Sequence, residues 1–171
     1  MTRGEKIFVF DLNGTLLTRV KENKGEHLKV RDADEILPSR GDLIYIRPHL
    51  DALASYLHEN KIKYVLWTTA MEHNGVHLVN AVKKRGLDKY LGTLFHSHST
   101  PVVSHPFKRA KNMKVIADLY NTEIENVFLI DDEIIKCVPE SAYIPISEYS
   151  PMNTKDDALL QIIETIKELA Q

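Results

Sequence analysis

Three short stretches of the chain carry the residue types that handle phosphate and a hard cation. "FVFDLNGTLL" (8–17) sets Asp11 and Asn13 two residues apart, with Gly14 and Thr15 directly after them. "YVLWTTA" (64–70) ends in Thr68 and Thr69, and "FLIDDE" (128–133) ends in Asp131, Asp132 and Glu133. Carboxylates from the first and third stretches would make a site of hard oxygen ligands suited to Mg²⁺. Hydroxyls and backbone amides from the second, with a basic side chain from "FKRAKNMK" (107–114), would hold the oxygens of a phosphate. Taken singly, each stretch has a plainer reading as a turn, a cap or a solvated strand exit. What argues for chemistry is their joint occurrence, each at the end of an apolar run.

Those runs are the elements that must position the site. "KIFVFDL" (6–12), "KYVLWTT" (63–69), "NVFLIDD" (126–132) and the weaker "AYIPIS" (142–147) read as strands buried on both faces, as in a parallel sheet. Helical spacing lies between them. "RPHLDALASYLHEN" (47–60) carries Leu50, Leu53, Ala54 and Leu57, with Pro48 suited to a first turn. "HNGVHLVNAVKKRG" (73–86) carries Val76, Leu78, Val79 and Val82, with Gly86 as a C-terminal cap. Met113, Ile116, Ala117 and Tyr120 give a third helical face, and "KDDALLQIIETIKELA" (155–170) a fourth. Strands alternating with helices predict an α/β fold, a doubly wound parallel sheet, whose ligands bind beyond the carboxyl ends of the strands. Residues 18–46 are polar, with alternating pieces at "HLKVRD" and "DLIYIR" that suit a small hairpin or ribbon, and 92–107 suit a loop or a short irregular strand pair.

A chain of 171 residues with 43% hydrophobic and 27% charged residues has the size and composition of one ordinary globular domain, 1–171. No segment approaches the roughly 20 apolar residues of a membrane span. The N-terminal apolar run is interrupted by Asp11 and has no small-residue cleavage site, so no secretory signal is expected. Cys137 is the only cysteine, which excludes an internal disulfide and fits a reducing, cytoplasmic or nuclear setting. A net charge of −2 gives no bulk drive toward nucleic acid. Lys108, Arg109, Lys111 and Lys114 form a local basic cluster that would guide an anionic substrate.

The order "DLNGT", "VLWTTA", a lysine among "FKRAKNMK", and "FLIDDE" resembles the haloacid dehalogenase superfamily of aspartate-nucleophile phosphatases, over nearly the whole chain. "RPHLDALASYL" followed by "YVLWTTA" is similar to the FCP/SCP branch, which acts on the RNA polymerase II carboxy-terminal domain, and "FLIDDE" is also similar to the magnesium-dependent phosphatase branch. The resemblance implies a HAD-like, Rossmannoid fold and an aspartyl-phosphate on Asp11. It implies Mg²⁺ held by Asp11, the carbonyl of Asn13 and Asp132, with Asp131 beside it. Thr68 would bind a phosphate oxygen, with backbone amides around Asn13, Gly14 and Thr15 and at Thr69. A lysine, Lys108 or Lys111 at the start of the Met113 helix, would neutralise the remaining charge. The inserts are too short for a full cap, and an open site suits a phosphorylated protein or another large phosphomonoester, with no membrane partner.

One position departs from the pattern. The superfamily has Asp where this chain has Asn13, and an amide has no proton to exchange near neutral pH. Loss of such an acid and base typically costs roughly 10²- to 10⁴-fold in rate. Three readings follow: a substitution made to trap an intermediate; a slow phosphatase whose acid comes from elsewhere, with Glu133 or a histidine of "HSH" (96–98) as candidates; or a phosphate-binding pseudophosphatase. Mg²⁺ and phosphate binding are expected to survive in all three, and turnover is expected to favour good leaving groups.

Overall fold

The computed structural model describes residues 4–21, 31–38 and 41–171. Its centre is a five-stranded parallel sheet in the order β11-β9-β1-β5-β6, built from β1 (Ile7–Phe10), β5 (Lys63–Trp67), β6 (Thr93–Leu94), β9 (Val127–Asp131) and β11 (Tyr143–Pro145). Helices α1 (Leu50–Glu59), α2 (Glu72–Lys83), α3 (Met113–Leu119) and α4 (Ala158–Ala170) cover both faces. Strand alternation decides which layer each side chain joins. Phe8 and Phe10 pack in one buried cluster with Leu53 and Leu57 of α1, Val79 of α2 and Ile162 of α4. Ile7 and Val9 pack in the other, with Met113 and Ile116 of α3. Buried on both sides, these strands read as unbroken apolar runs. Truncating Phe10, which is fully buried, would cost about 3–5 kcal/mol.

Register sets the site. Phe10 lies level with Leu66 on one side and Ile130 on the other, so Asp11 leaves the sheet in the same row as Trp67 and Asp131. The tips of β1, β5 and β9 therefore open side by side.

Several local expectations are revised. Pro48 lies ahead of α1 rather than in its first turn, because His49 adopts a left-handed φ of 71° at the N-cap and the helix begins at Leu50. Val76 faces outward at 38% exposure, while Gly75 takes the inner position beside the Phe95 ring. The first insert forms a three-stranded antiparallel sheet, β2 (Leu17–Val20), β4 (Leu43–Ile46) and β3 (Glu35–Ile36), in the order β2-β4-β3. "DLIYIR" supplies β4, while most of "HLKVRD" lies outside the described residues. The second insert pairs β7 (Thr100–Val102) with β8 (His105–Asn112), and β8 also pairs in parallel with β10 (Cys137–Val138). Lys108 and Lys111 thus sit on a strand, and Asn112 caps α3 by accepting a hydrogen bond from the Lys114 amide at 2.9 Å.

Candidate active site

The chain turns sharply after β1. The amides of Thr15, Leu16 and Leu17 all donate to the Leu12 carbonyl, and the Gly14 amide donates to the Leu17 carbonyl at 2.7 Å. Gly14 has φ +92°, which L side chains rarely adopt, and a Cβ there would lie 2.7 Å from Asp132 Oδ2. Glycine is thus required twice, by its own backbone and by the carboxylate pressed against it.

Within this turn Asp11 is buried, and Thr15 Oγ1 donates to its Oδ2 at 3.1 Å. Lys111 reaches across from β8, fully buried, and its Nζ donates to Asp11 Oδ1 and Asp131 Oδ2, each at 2.9 Å. The second oxygen of Asp131 accepts the Glu133 amide at 2.9 Å. Asp11, Asp131 and Asp132 each offer an oxygen within 4.8 Å of the others. Three carboxylates therefore lie together, and Lys111 bonds two of them.

The electrostatics follow from that imbalance. Burial alone would depress the Lys111 ammonium, but Asp11 and Asp131 outweigh it and hold the group above its ordinary value. Burial raises the Asp11 carboxyl, opposed by Lys111 and assisted by Asp131. Asp132 is pushed up to about 8, by burial first and then by the carboxylates of Asp11 and Asp131. Its Oδ1 is buried without a hydrogen-bond partner. An orphaned, buried carboxylate oxygen beside two others is what a hard divalent cation would satisfy, so the residues present fit Mg²⁺.

The other expected residues fall in different places. Thr68 is buried one residue past β5, where its amide donates to the Leu94 carbonyl and its Oγ1 accepts from the Ala70 amide at 3.2 Å. Thr69 beside it is half-buried. Asn13 is exposed, and its Oδ1 accepts the Arg19 amide at 3.1 Å. Only an oxygen can accept that bond, so the side-chain NH₂ is the end left to meet a ligand. Lys108 makes its ion pair with Glu133 and has no bond to Asp11. The basic cluster does not form a common patch: Lys111 is buried, Arg109 binds Ser99, and Lys114 pairs with Asp118 in solvent. Glu133 is clasped by Lys108 and by Lys136 at 2.7 Å. Burial would raise its carboxyl, but the two lysines bring it below its ordinary value. In the "HSH" turn, His98 Nδ1 accepts the Phe95 amide at 3.0 Å.

The sequence reading missed the rear of the site. Arg47, Tyr149 and Asp156 are buried behind the 14–18 loop, and Lys136 stands near Asp11 and Asp131. The one signal for Arg47 was an arginine directly before a helix-starting proline, which by itself reads as a solvated entry.

A family model described as NLI interacting factor-like phosphatase matches residues 6–171. Among solved structures the chain is similar to Fcp1, an essential RNA polymerase II CTD phosphatase, at 17% identity and TM-score 0.60, covering 98% of this chain and 48% of that one. It is also similar to a HAD-superfamily hydrolase from Ehrlichia chaffeensis, at 16% identity and TM-score 0.57, covering 100% of both chains. A third likeness is to 3-deoxy-D-manno-octulosonate 8-phosphate phosphatase from Moraxella catarrhalis in complex with magnesium, phosphate and KDO, at 12% identity, TM-score 0.54 and 98% and 88% coverage. The chain thus spans about half the length of the Fcp1 chain. At these identities the likeness is one of fold. No curated protein sequence matches the chain.

Proposed function

The chain belongs to the NLI interacting factor-like phosphatases, and on that premise we propose that it hydrolyses a phosphomonoester through an aspartyl-phosphate on Asp11, with Mg²⁺ as cofactor. The observation that carries the reading is the convergence of the Asp11, Asp131 and Asp132 carboxylates, the first two bonded by buried Lys111, with one buried oxygen of Asp132 unpaired.

Asp11 Oδ attacks phosphorus in line, and the bond to the leaving oxygen breaks. Lys111 favours the ionised form of Asp11 against its burial and offsets charge on the transferred group. The Thr68 hydroxyl binds a phosphate oxygen, with the backbone amide of Thr69 beside it; the amides expected at Gly14 and Thr15 are already bonded to the Leu17 and Leu12 carbonyls and take no part. Mg²⁺ held by Asp11, the Asn13 carbonyl and Asp132, with Asp131 beside it, would reduce the repulsion between two anions and stabilise the equatorial oxygens. The Asn13 amide donates a hydrogen bond toward the leaving oxygen and transfers no proton, so esters of weakly basic alcohols turn over fastest. Water then releases phosphate from Asp11, also without a base at position 13. The short inserts leave room for phosphate carried on a polypeptide. The Fcp1 likeness, a CTD phosphatase, supports that substrate class.

The test is phosphate release with Mg²⁺ from aryl phosphates and phosphopeptides, for this chain, Asn13→Asp and Asp11→Asn. The reading predicts slow turnover that rises roughly 10²- to 10⁴-fold in Asn13→Asp and disappears in Asp11→Asn. Phosphate binding with no turnover in any of the three, across all substrates, would instead make the protein a phosphate-binding pseudophosphatase.

A further inference from the structure

Behind the Asp11 loop lies a buried cation that the proposed chemistry does not use. Arg47 is 1% exposed, and all five of its N–H groups have acceptors. Nε and Nη2 donate to the two oxygens of Asp156, both at 2.9 Å, and Nη2 also donates to Ser147 Oγ at 3.1 Å. Nη1 donates to the Thr15 carbonyl at 3.1 Å and to the Gly14 carbonyl at the outer limit of 3.5 Å. The guanidinium stands 5.5 Å from the centre of the Tyr149 ring. Tyr149 grips the same loop through its backbone, its amide donating to the Gly14 carbonyl at 2.9 Å and its carbonyl accepting from Thr18 Oγ1 at 2.6 Å.

A buried ion pair is a poor device for stability alone, since apolar residues of similar volume commonly serve as well or better. What this pair does is directional. It draws two consecutive carbonyls of the nucleophile loop backward, and those two residues are the ones that touch the site's carboxylates. Thr15 holds Asp11 through its hydroxyl, and Gly14 lies flat against Asp132.

We propose that Arg47, oriented by Asp156, is a positioning residue for the phosphoryl-transfer site, which sets the loop so that Asp11 and Asp132 keep their mutual geometry. The role in catalysis rests on the function proposed above; the positioning of the loop does not.

The experiment compares Arg47→Lys, the milder Asp156→Asn and a control, Leu57→Ala, which removes a buried side chain of α1. Two quantities are read in each: hydrogen exchange of the amides of residues 14–17, and Mg²⁺ affinity by direct titration. Lysine keeps the charge but cannot form the fork. Arg47→Lys is expected to speed exchange at 14–17 by about tenfold or more and to weaken Mg²⁺ by a similar factor, on the scale at which small misplacements are felt. Asp156→Asn should move both in the same direction by less. The control should loosen its own helix and leave both at the wild-type level. Exchange at 14–17 unchanged in Arg47→Lys, or Mg²⁺ affinity that falls equally in the control, overturns the proposal. Loop loosening in Arg47→Lys together with a wild type that binds no Mg²⁺ upholds the positioning of the loop and removes the metal site.

Discussion

Two buried ionic clusters flank the loop that carries Asp11, one behind it and one in front. Behind, Arg47 meets Asp156, Ser147 and two backbone carbonyls, one cation against one carboxylate with every N–H matched. In front, Lys111 bonds Asp11 and Asp131, Lys136 stands near both but pairs with Glu133, and Asp132 Oδ1 has no hydrogen-bond partner. The rear cluster is electrostatically complete, and the front one lacks positive charge by its own construction. Burial of an unpaired carboxylate is costly, so the front does not add to the stability of the fold and has the charge balance of a site that could hold a cation. A structural cluster closes on itself, whereas a functional one stays open toward its ligand.

Changes to the two clusters should therefore have different signatures. The largest effect is expected from Lys111→Met. Removing the cation that bonds Asp11 and Asp131 leaves buried carboxylates poorly compensated, at about 3–5 kcal/mol of stability without Mg²⁺. It should also lower kcat/KM by roughly 10²- to 10³-fold. Urea unfolding with and without Mg²⁺, beside steady-state kinetics, measures both, and added Mg²⁺ should recover part of the stability.

Next is pH. Folding raises the Asp132 carboxyl to about 8, far above its ordinary value of 3.8. The folded chain thus holds a proton that the unfolded chain has lost, and this group's contribution to stability declines as pH rises from about 4 to 8. Mg²⁺ must displace that proton, so its affinity should climb about tenfold per unit up to pH 8 and then level off. Calorimetric titration in buffers of different ionisation enthalpy, which also counts the proton released, checks the slope.

At the rear, Asp156→Asn should cost about 1–3 kcal/mol, the range for a charged hydrogen-bond partner weakened in place. Unlike the loss at Lys111, this one should not vary with Mg²⁺ concentration beyond the ordinary effect of ligand binding, as denaturant midpoints at two Mg²⁺ levels would report. The smallest stability change is expected from Gly14→Ala, about 1–2 kcal/mol for the left-handed backbone. Its Cβ is also driven against Asp132, so Mg²⁺ affinity should fall while the Arg47 contacts persist.

The legible parts of the molecule were those fixed by local pattern. β1, β5 and β9 are buried on both faces and so appear as continuous apolar runs, and the chemistry sits at their ends, where register alone aligns Asp11 with Asp131. β8 was not legible, because "HPFKRAKN" has neither an apolar run nor clean alternation. It becomes a strand by pairing with Thr100–Val102 before it and with Cys137–Val138 long after it, and only that pairing turns Lys111 inward and Lys108 toward Glu133. The same holds for Arg47 and Asp156, 109 residues apart, whose types and positions say nothing of each other until the chain between them has folded. "FKRAKNMK" shows the limit most plainly: four neighbouring cations in sequence, one in the site and three elsewhere.

The most direct measurement is mass spectrometry of the chain quenched in acid after reaction with an aryl phosphate and Mg²⁺. Without a proton-transfer group at position 13 to speed hydrolysis, the aspartyl-phosphate should accumulate. A phosphoryl increment should appear on the peptide containing Asp11, fade in Asn13→Asp as turnover rises, and be missing from Asp11→Asn. Absence of the increment from Asp11 in a chain that binds both Mg²⁺ and phosphate, or its appearance on another residue, would contradict Asp11 as the nucleophile.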